Sequence, residues 1–218
     1  SNRLISRGPR DRMDAEVVRD TALAAADLLS PKIGGPPVKP YQPEGVWEAV
    51  AMKESNTRNY KQDTGEALYR RSIYTFWKRT APHPAMEILN APSREVFCVR
   101  RDRTNTPLQA FVTLNDPQFI EASRSLAEHA MKASTDASAR LDFISNRLLS
   151  RTLAEPERKL AMETQASALA AYKADTKEAQ AMISNGETKA DPALDVPELA
   201  AWTLVSSQLL NLDETLNK

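Results

Sequence analysis

The sequence predicts a mainly α fold, an irregular multi-helix domain with one long proline-rich loop and little or no β-structure. Three observations carry this expectation. Glycine is scarce, with 6 residues against 14 prolines in 218, while Ala, Leu, Glu, Lys and Arg abound, and these lose little rotamer freedom in a helix. Apolar residues recur at helical spacing over several long segments. Two helix starts are spelled out as cap–proline pairs, Thr106-Pro107 and Asp116-Pro117. The length fits a single all-α domain over residues 1–218. It allows a subdivision into a basic half with the proline-rich strap, 1–133, and an acidic helical half, 134–218.

The first helix is expected over 14–29, with Asp14 as cap and Val18, Ala22, Ala25 and Leu29 on one face. Five prolines between 31 and 43 then exclude a regular helix or a central strand. The pair Gly34-Gly35 is no phosphate loop, because the prolines that follow remove the backbone donors such a loop needs. This stretch reads as a semi-rigid surface strap pinned by Tyr41 and Trp47. Residues 65–80, GEALYRRSIYTFWKRT, are the most aromatic. At helical spacing Tyr69, Ile73, Phe76 and Thr80 share a stripe with Trp77 beside it, which reads as core.

Residues 94–99, REVFCV, suggest one short extended piece. Thr106, Pro107 and Gln109 then spell a capping box, and Asp116 with Pro117 starts the next helix, through Phe119, Ala122, Leu126 and Ala130. Further helices are expected over about 136–151, from Pro156 past Tyr172, and over TKEAQAMI closed by Asn185-Gly186. A last one spans 196–212 and turns Leu199, Trp202, Val205 and Leu209 to the core.

Formal net charge is zero, yet residues 1–115 carry +5 and residues 116–218 carry −5. The first half is expected to present a basic face, or to attract the second. There is no dense basic stripe of the kind nucleic acid requires, so no nucleic-acid partner is expected. No run approaches the roughly 18 apolar residues of a membrane span, so no direct membrane insertion is expected either. The opening SNRLISRGPR is polar and basic without the apolar stretch of a signal peptide, as expected of a piece cut from a longer protein.

Four stretches together, NRLISRGPRDRMDAEVVRD, SPKIGGPPVKPYQPEGVWEAV, GEALYRRSIYTFWKRTAP and PSREV with the RRDRTNTPLQA that follows, resemble planctomycete-specific domain one. The C-terminal DPALDVPELAAWTLVSSQLLNLDETLNK agrees, so the resemblance covers essentially the whole chain. That family is a C-terminal domain of unknown function in large planctomycete and verrucomicrobial proteins that often begin with a cytochrome-c-like haem module. The resemblance implies an extracytoplasmic setting, periplasmic or cell-surface, and a link to polysaccharide use. It supplies no catalytic residues. It implies no cofactor in this chain, which lacks the C-x-x-C-H attachment motif, and places haem in another domain of the parent. One departure is His83, where the family pattern leads one to expect proline.

The candidate anion site is Arg100, Arg101 and Arg103, stacked ahead of the N–H groups exposed after Thr106. Guanidinium forks and helix N-termini both suit carboxylate, sulfate or phosphate. The bland account is internal pairing with protein carboxylates. A second candidate is an aromatic and acidic cleft near the strap, formed by Tyr41, Trp47 and Glu48, with Glu44, Glu66 and Tyr69 close by. Its bland account is a strap held down by buried aromatics.

Cys98, the one cysteine, is flanked by arginines that favour thiolate. Its VFCV context, however, reads as a small core residue. His83 and His129 lack metal-ligand spacing, and no metal is expected. Taken together, these residues predict a non-catalytic helical interaction or accessory module, binding a partner protein, another domain of the parent, or a sulfated or acidic glycan. The alternative is a polysaccharide-active enzyme domain using paired carboxylates near the strap.

Overall fold

The structure, a computed structural model, describes residues 4, 8 and 11–217. Its helices are α1 (Ala15–Ala25), α2 (Pro84–Ile88), α3 (Pro107–Asn115), α4 (Pro117–Ala133), α5 (Ala137–Leu149), α6 (Glu155–Ala174), α7 (Thr176–Ile183), α8 (Val196–Leu210) and α9 (Asp213–Leu216). Among the described residues there is no strand, and β-pairing is confined to isolated bridges such as Ser30 to Arg70 and Val38 to Thr75. The fold is mainly α.

The core forms because these helices are striped. Phe119, Ala122, Leu126 and Ala130 of α4 meet Leu199, Trp202, Val205 and Leu209 of α8, and all are buried. Alanines at 122, 127, 130, 200 and 201 are almost fully buried on these two helices. Their small side chains allow close packing at native density. Helix α5 adds Leu141, Ile144 and Leu148, and α1 adds Ala15, Val18 and Ala22, so one cluster runs from Ala15 to Leu216. Four helices begin on an aspartate that accepts a first-turn N–H: Asp116 from Gln118, Asp136 from Ala139, Asp175 from Lys177 and Glu178, and Asp195 from Glu198.

Three local expectations are corrected. Helix α1 stops at Ala25, short of 29. Asp27 takes a left-handed φ of 55°, and the Leu28 and Leu29 N–H groups turn back to the Leu23 carbonyl. Residues 65–80 are not an α-helix: two short 3-10 turns, Gly65–Tyr69 and Ser72–Tyr74, give way to extended chain. The reason is competition for backbone groups. The Arg19 guanidinium takes the Leu68 and Arg70 carbonyls at 2.6 and 2.7 Å, and Asp20 takes the Ser72 N–H at 2.8 Å. Tyr74 O and Phe76 N–H pair with Val38 of the strap. Ile73 is consequently exposed.

The Thr106 capping box does not form. Pro107 holds the first helical position, but the Thr106 side chain makes no cap hydrogen bond. Gln109 is drawn inward instead, donating to the Ile88 carbonyl and to Thr104 Oγ1 and accepting from Arg12.

Candidate functional site

The strap is anchored by a buried carboxylate that the sequence does not announce. Glu121, in the second turn of α4 and 0% exposed, accepts from Tyr41 Oη at 2.9 Å and Tyr69 Oη at 2.8 Å. It also takes the Thr188 N–H at 2.8 Å and the Thr188 hydroxyl at 2.6 Å. A buried carboxylate needs several donors to offset lost hydration, and these come from the strap, the aromatic segment and the loop after α7. Burial, then the charge and hydrogen bond of Glu121, push the Tyr69 hydroxyl up to about 12. The same causes hold Tyr41 well above its ordinary range. Both are neutral donors at any physiological pH. Gly186 closes against this carboxylate: a Cβ there would lie 2.2 Å from Glu121 Cδ.

Trp47 pins the next part of the strap. It is 2% exposed, packs edge-on against Tyr60 with centroids 4.8 Å apart, and lies against Phe76. Lys78 Nζ sits 4.9 Å from its ring centroid. Tyr41, Trp47 and Glu48 therefore do not share one cleft. Tyr41 lines an apolar cleft, Glu48 lines a polar one beside it, and Trp47 lines neither. Glu66 is engaged separately, accepting from Ser30 Oγ at 2.7 Å. His83 is buried, its Nε2 2.7 Å from the Tyr41 carbonyl. Desolvation pulls its pKa down to about 4, so the ring is neutral.

The three arginines do come together, lining a shallow polar depression of about 260 Å³ with Asp14; Thr106 does not line it. Protein carboxylates answer most of their charge. Arg101 holds Glu16, with Asp14 at 3.5 Å, and Arg103 pairs with Asp11 at 2.7 Å. Burial pushes the Glu16 carboxyl up, but the hydrogen bonds from Arg101 and its own backbone N–H, with nearby arginine charge, outweigh this and leave it below its ordinary range. Arg100 has no carboxylate partner among the described residues.

The segment between these anchors is the least expected feature. Trp77 Nε1 donates to the Ser93 carbonyl at 2.7 Å, and the Arg94 guanidinium lies 4.9 Å from the Trp77 ring centroid. Arg101 ties the other end to α1. Between them Val96, Phe97 and Val99 are 73%, 89% and 89% exposed, and Cys98 is an exposed free thiol. The VFCV stretch is thus a solvent-facing ledge and no core strand. Among the described residues no group of three His, Cys, Asp or Glu side chains is arranged to hold a metal ion, and no helix is long and apolar enough to cross a membrane.

Comparison with known proteins adds a family and nothing beyond it. The family described as PSD1, a protein of unknown function (DUF1553), matches residues 1–164, and the chain belongs to that family. No curated protein and no solved structure matches the chain. The matched range includes the strap, the ledge and Glu121, while α7 and α8 lie beyond it.

Proposed function

We propose that this family member is a non-catalytic interaction module, an accessory domain of an extracytoplasmic, multidomain, haem-containing protein. Its recognition surface is the ledge of Val96, Phe97 and Val99. The supporting observation is the combination of exposure and tethering: three large apolar side chains stand in water on a segment fixed at both ends. Covering each would contribute about 1.5–3 kcal/mol, and contiguous exposed apolar surface marks interaction sites. The partner is a protein surface with an apolar pocket rimmed by carboxylates, because Arg94 and Arg100 flank the ledge, and Arg100 has no carboxylate partner among the described residues.

A glycan ligand has weaker support, since Glu16 and Asp11 already answer Arg101 and Arg103. The enzymatic alternative is weaker again: Trp47, the ring best suited to stack on a sugar, is buried. Hydrogen exchange tests the proposal. Amides of residues 94–103 should exchange at least about tenfold more slowly in the full parent protein than in this chain alone, as occlusion of a surface segment requires. Equal exchange in both would contradict it.

A further inference from the structure

From Arg94 to Arg100 every residue is exposed, and the backbone of the ledge is as bare as its side chains. Among the described residues, no N–H or C=O from Val96 to Asn105 enters a hydrogen bond within the chain. No proline interrupts this run, so each residue in it offers both a donor and an acceptor. In water that is no liability, because solvent satisfies them. Covering the ledge changes this. An interface that takes Val96, Phe97 and Val99 out of water dries the peptide groups between them too, and a buried peptide group without a partner carries the full penalty of its lost hydration. Nothing in this chain meets that demand, so the partner has to.

A continuous run of main-chain donors and acceptors is matched by the free edge of a β-sheet, which carries the same groups at the same spacing of about 3.3 Å per residue. A helix cannot match it, since its own main-chain groups are already paired. Val96, Phe97 and Val99 are strand formers. In a strand Phe97 and Val99 fall on one face, Val96 and Cys98 on the other. The chain bends at 94–96 and at 99–100, yet straightening it from Val96 onward breaks no backbone hydrogen bond, because none is made there. The tethers through Arg94 on Trp77 and Arg101 on Glu16 use side chains and leave the peptide groups between them free. A second copy is a poor match. With no strand among the described residues, ledge on ledge would be an isolated two-stranded pair, which is marginal in water.

We propose that the ledge docks by strand addition, residues 96–100 joining the open edge of a β-sheet in another domain of the parent protein. Strand addition presupposes docking at the ledge, as proposed above, and adds the partner's chemistry. Main-chain groups give the affinity, and apolar pockets beside carboxylates take Phe97 and Val99.

An added strand turns alternate N–H groups to its neighbour and the rest to solvent, and that pattern is the test. Amide exchange is measured residue by residue over 96–100, in this chain and in the full parent protein. In the parent, amides of one parity should slow at least about a hundredfold and the intervening ones only about tenfold, as occlusion alone gives. Cys98→Pro and Val99→Pro, at exposed positions outside the core, each delete one N–H. The variant that removes a slowed amide should return the rest of the segment to the rate of the isolated chain. The other should keep the alternation, since edge strands accept proline where the N–H faces solvent. Equal behaviour of the two variants would overturn the proposal. Uniform slowing of about tenfold would overturn strand addition and leave docking at the ledge standing. No slowing at all would overturn both. Alternation already present in the isolated chain and rising with its concentration would make the partner a second copy and overturn the assignment to another domain.

Discussion

Arg101 grips Glu16 with two hydrogen bonds, 2.5 Å from Nη1 to Oε2 and 3.1 Å from Nη2 to Oε1. A run of arginines ahead of a helix demands negative charge, and here α1 and the residues before it provide it. The consequence is a site that is mostly self-satisfied. Removing Glu16 should open it: Glu16→Gln leaves Arg101, beside Arg100, with the more distant Asp14 at 3.5 Å, and retention of the chain on a sulfated polysaccharide matrix should rise at low salt. The gain should vanish by about 0.3 M salt, where exposed charges are screened. The pair itself is partly exposed, so the same change should cost only about 1 kcal/mol or less in urea denaturation.

Glu121 makes the opposite kind of prediction. Its carboxylate joins the strap, the aromatic segment and the loop after α7 through four donors. Tyr41→Phe removes one of them and should cost about 1–2 kcal/mol. Gly186→Ala should be far worse. Its φ of +88° is already strained for an L side chain, and the new methyl would meet the Glu121 carboxyl. A loss of at least about 3 kcal/mol in chemical denaturation is expected, at the severe end for single substitutions.

These two sites show what the sequence makes legible. The long helices are readable because periodicity and Asp–Pro punctuation are local signals, and the cap at Asp116 behaves as its residue type requires, whereas Asp14 begins α1 without a side-chain cap hydrogen bond. The arginines were readable as a demand for negative charge, though not which carboxylates meet it, because Glu16 is 85 residues from Arg101. Glu121 was not readable: its partners Tyr41 and Tyr69 are 80 and 52 residues away, and a glutamate inside an amphipathic helix looks like any solvated one. The aromatic segment misleads for a similar reason. Its helical stripe is real in sequence, but buried Arg19 claims its carbonyls. The ledge misleads because four apolar residues in a row ordinarily signal burial.

Two desolvated groups of opposite sense, half-buried Asp116 and buried His83, act on stability in mild acid. Desolvation raises Asp116 from 3.8 to about 6 and lowers His83 from 6.5 to about 4. For Asp116 the folded state holds the proton more tightly, so its contribution is full below pH 3.8 and is lost as pH rises through 6. For His83 the folded state holds the proton less tightly, so its contribution is present above pH 6.5 and is lost as pH falls through 4. Each amounts to at most about 3 kcal/mol, and between about pH 4 and 6 they oppose.

Wild-type stability should therefore be nearly flat across that window in urea titrations. Asp116→Asn keeps a good N-cap and should leave a profile that rises with pH. His83→Gln should leave one that falls. Profiles identical to wild type in both variants would contradict the assignment.

The most direct test of the central claim, that the ledge is a covered recognition surface, uses the thiol placed within it. Cys98 lies between Phe97 and Val99 and is exposed in this chain. Its rate of reaction with a small aromatic disulfide should be fast in the isolated chain and at least about tenfold slower in the full parent protein, as reactivity follows access. Phe97→Glu should restore fast reaction in the parent by preventing docking. A thiol that reacts equally fast in the chain and in the parent would contradict the account.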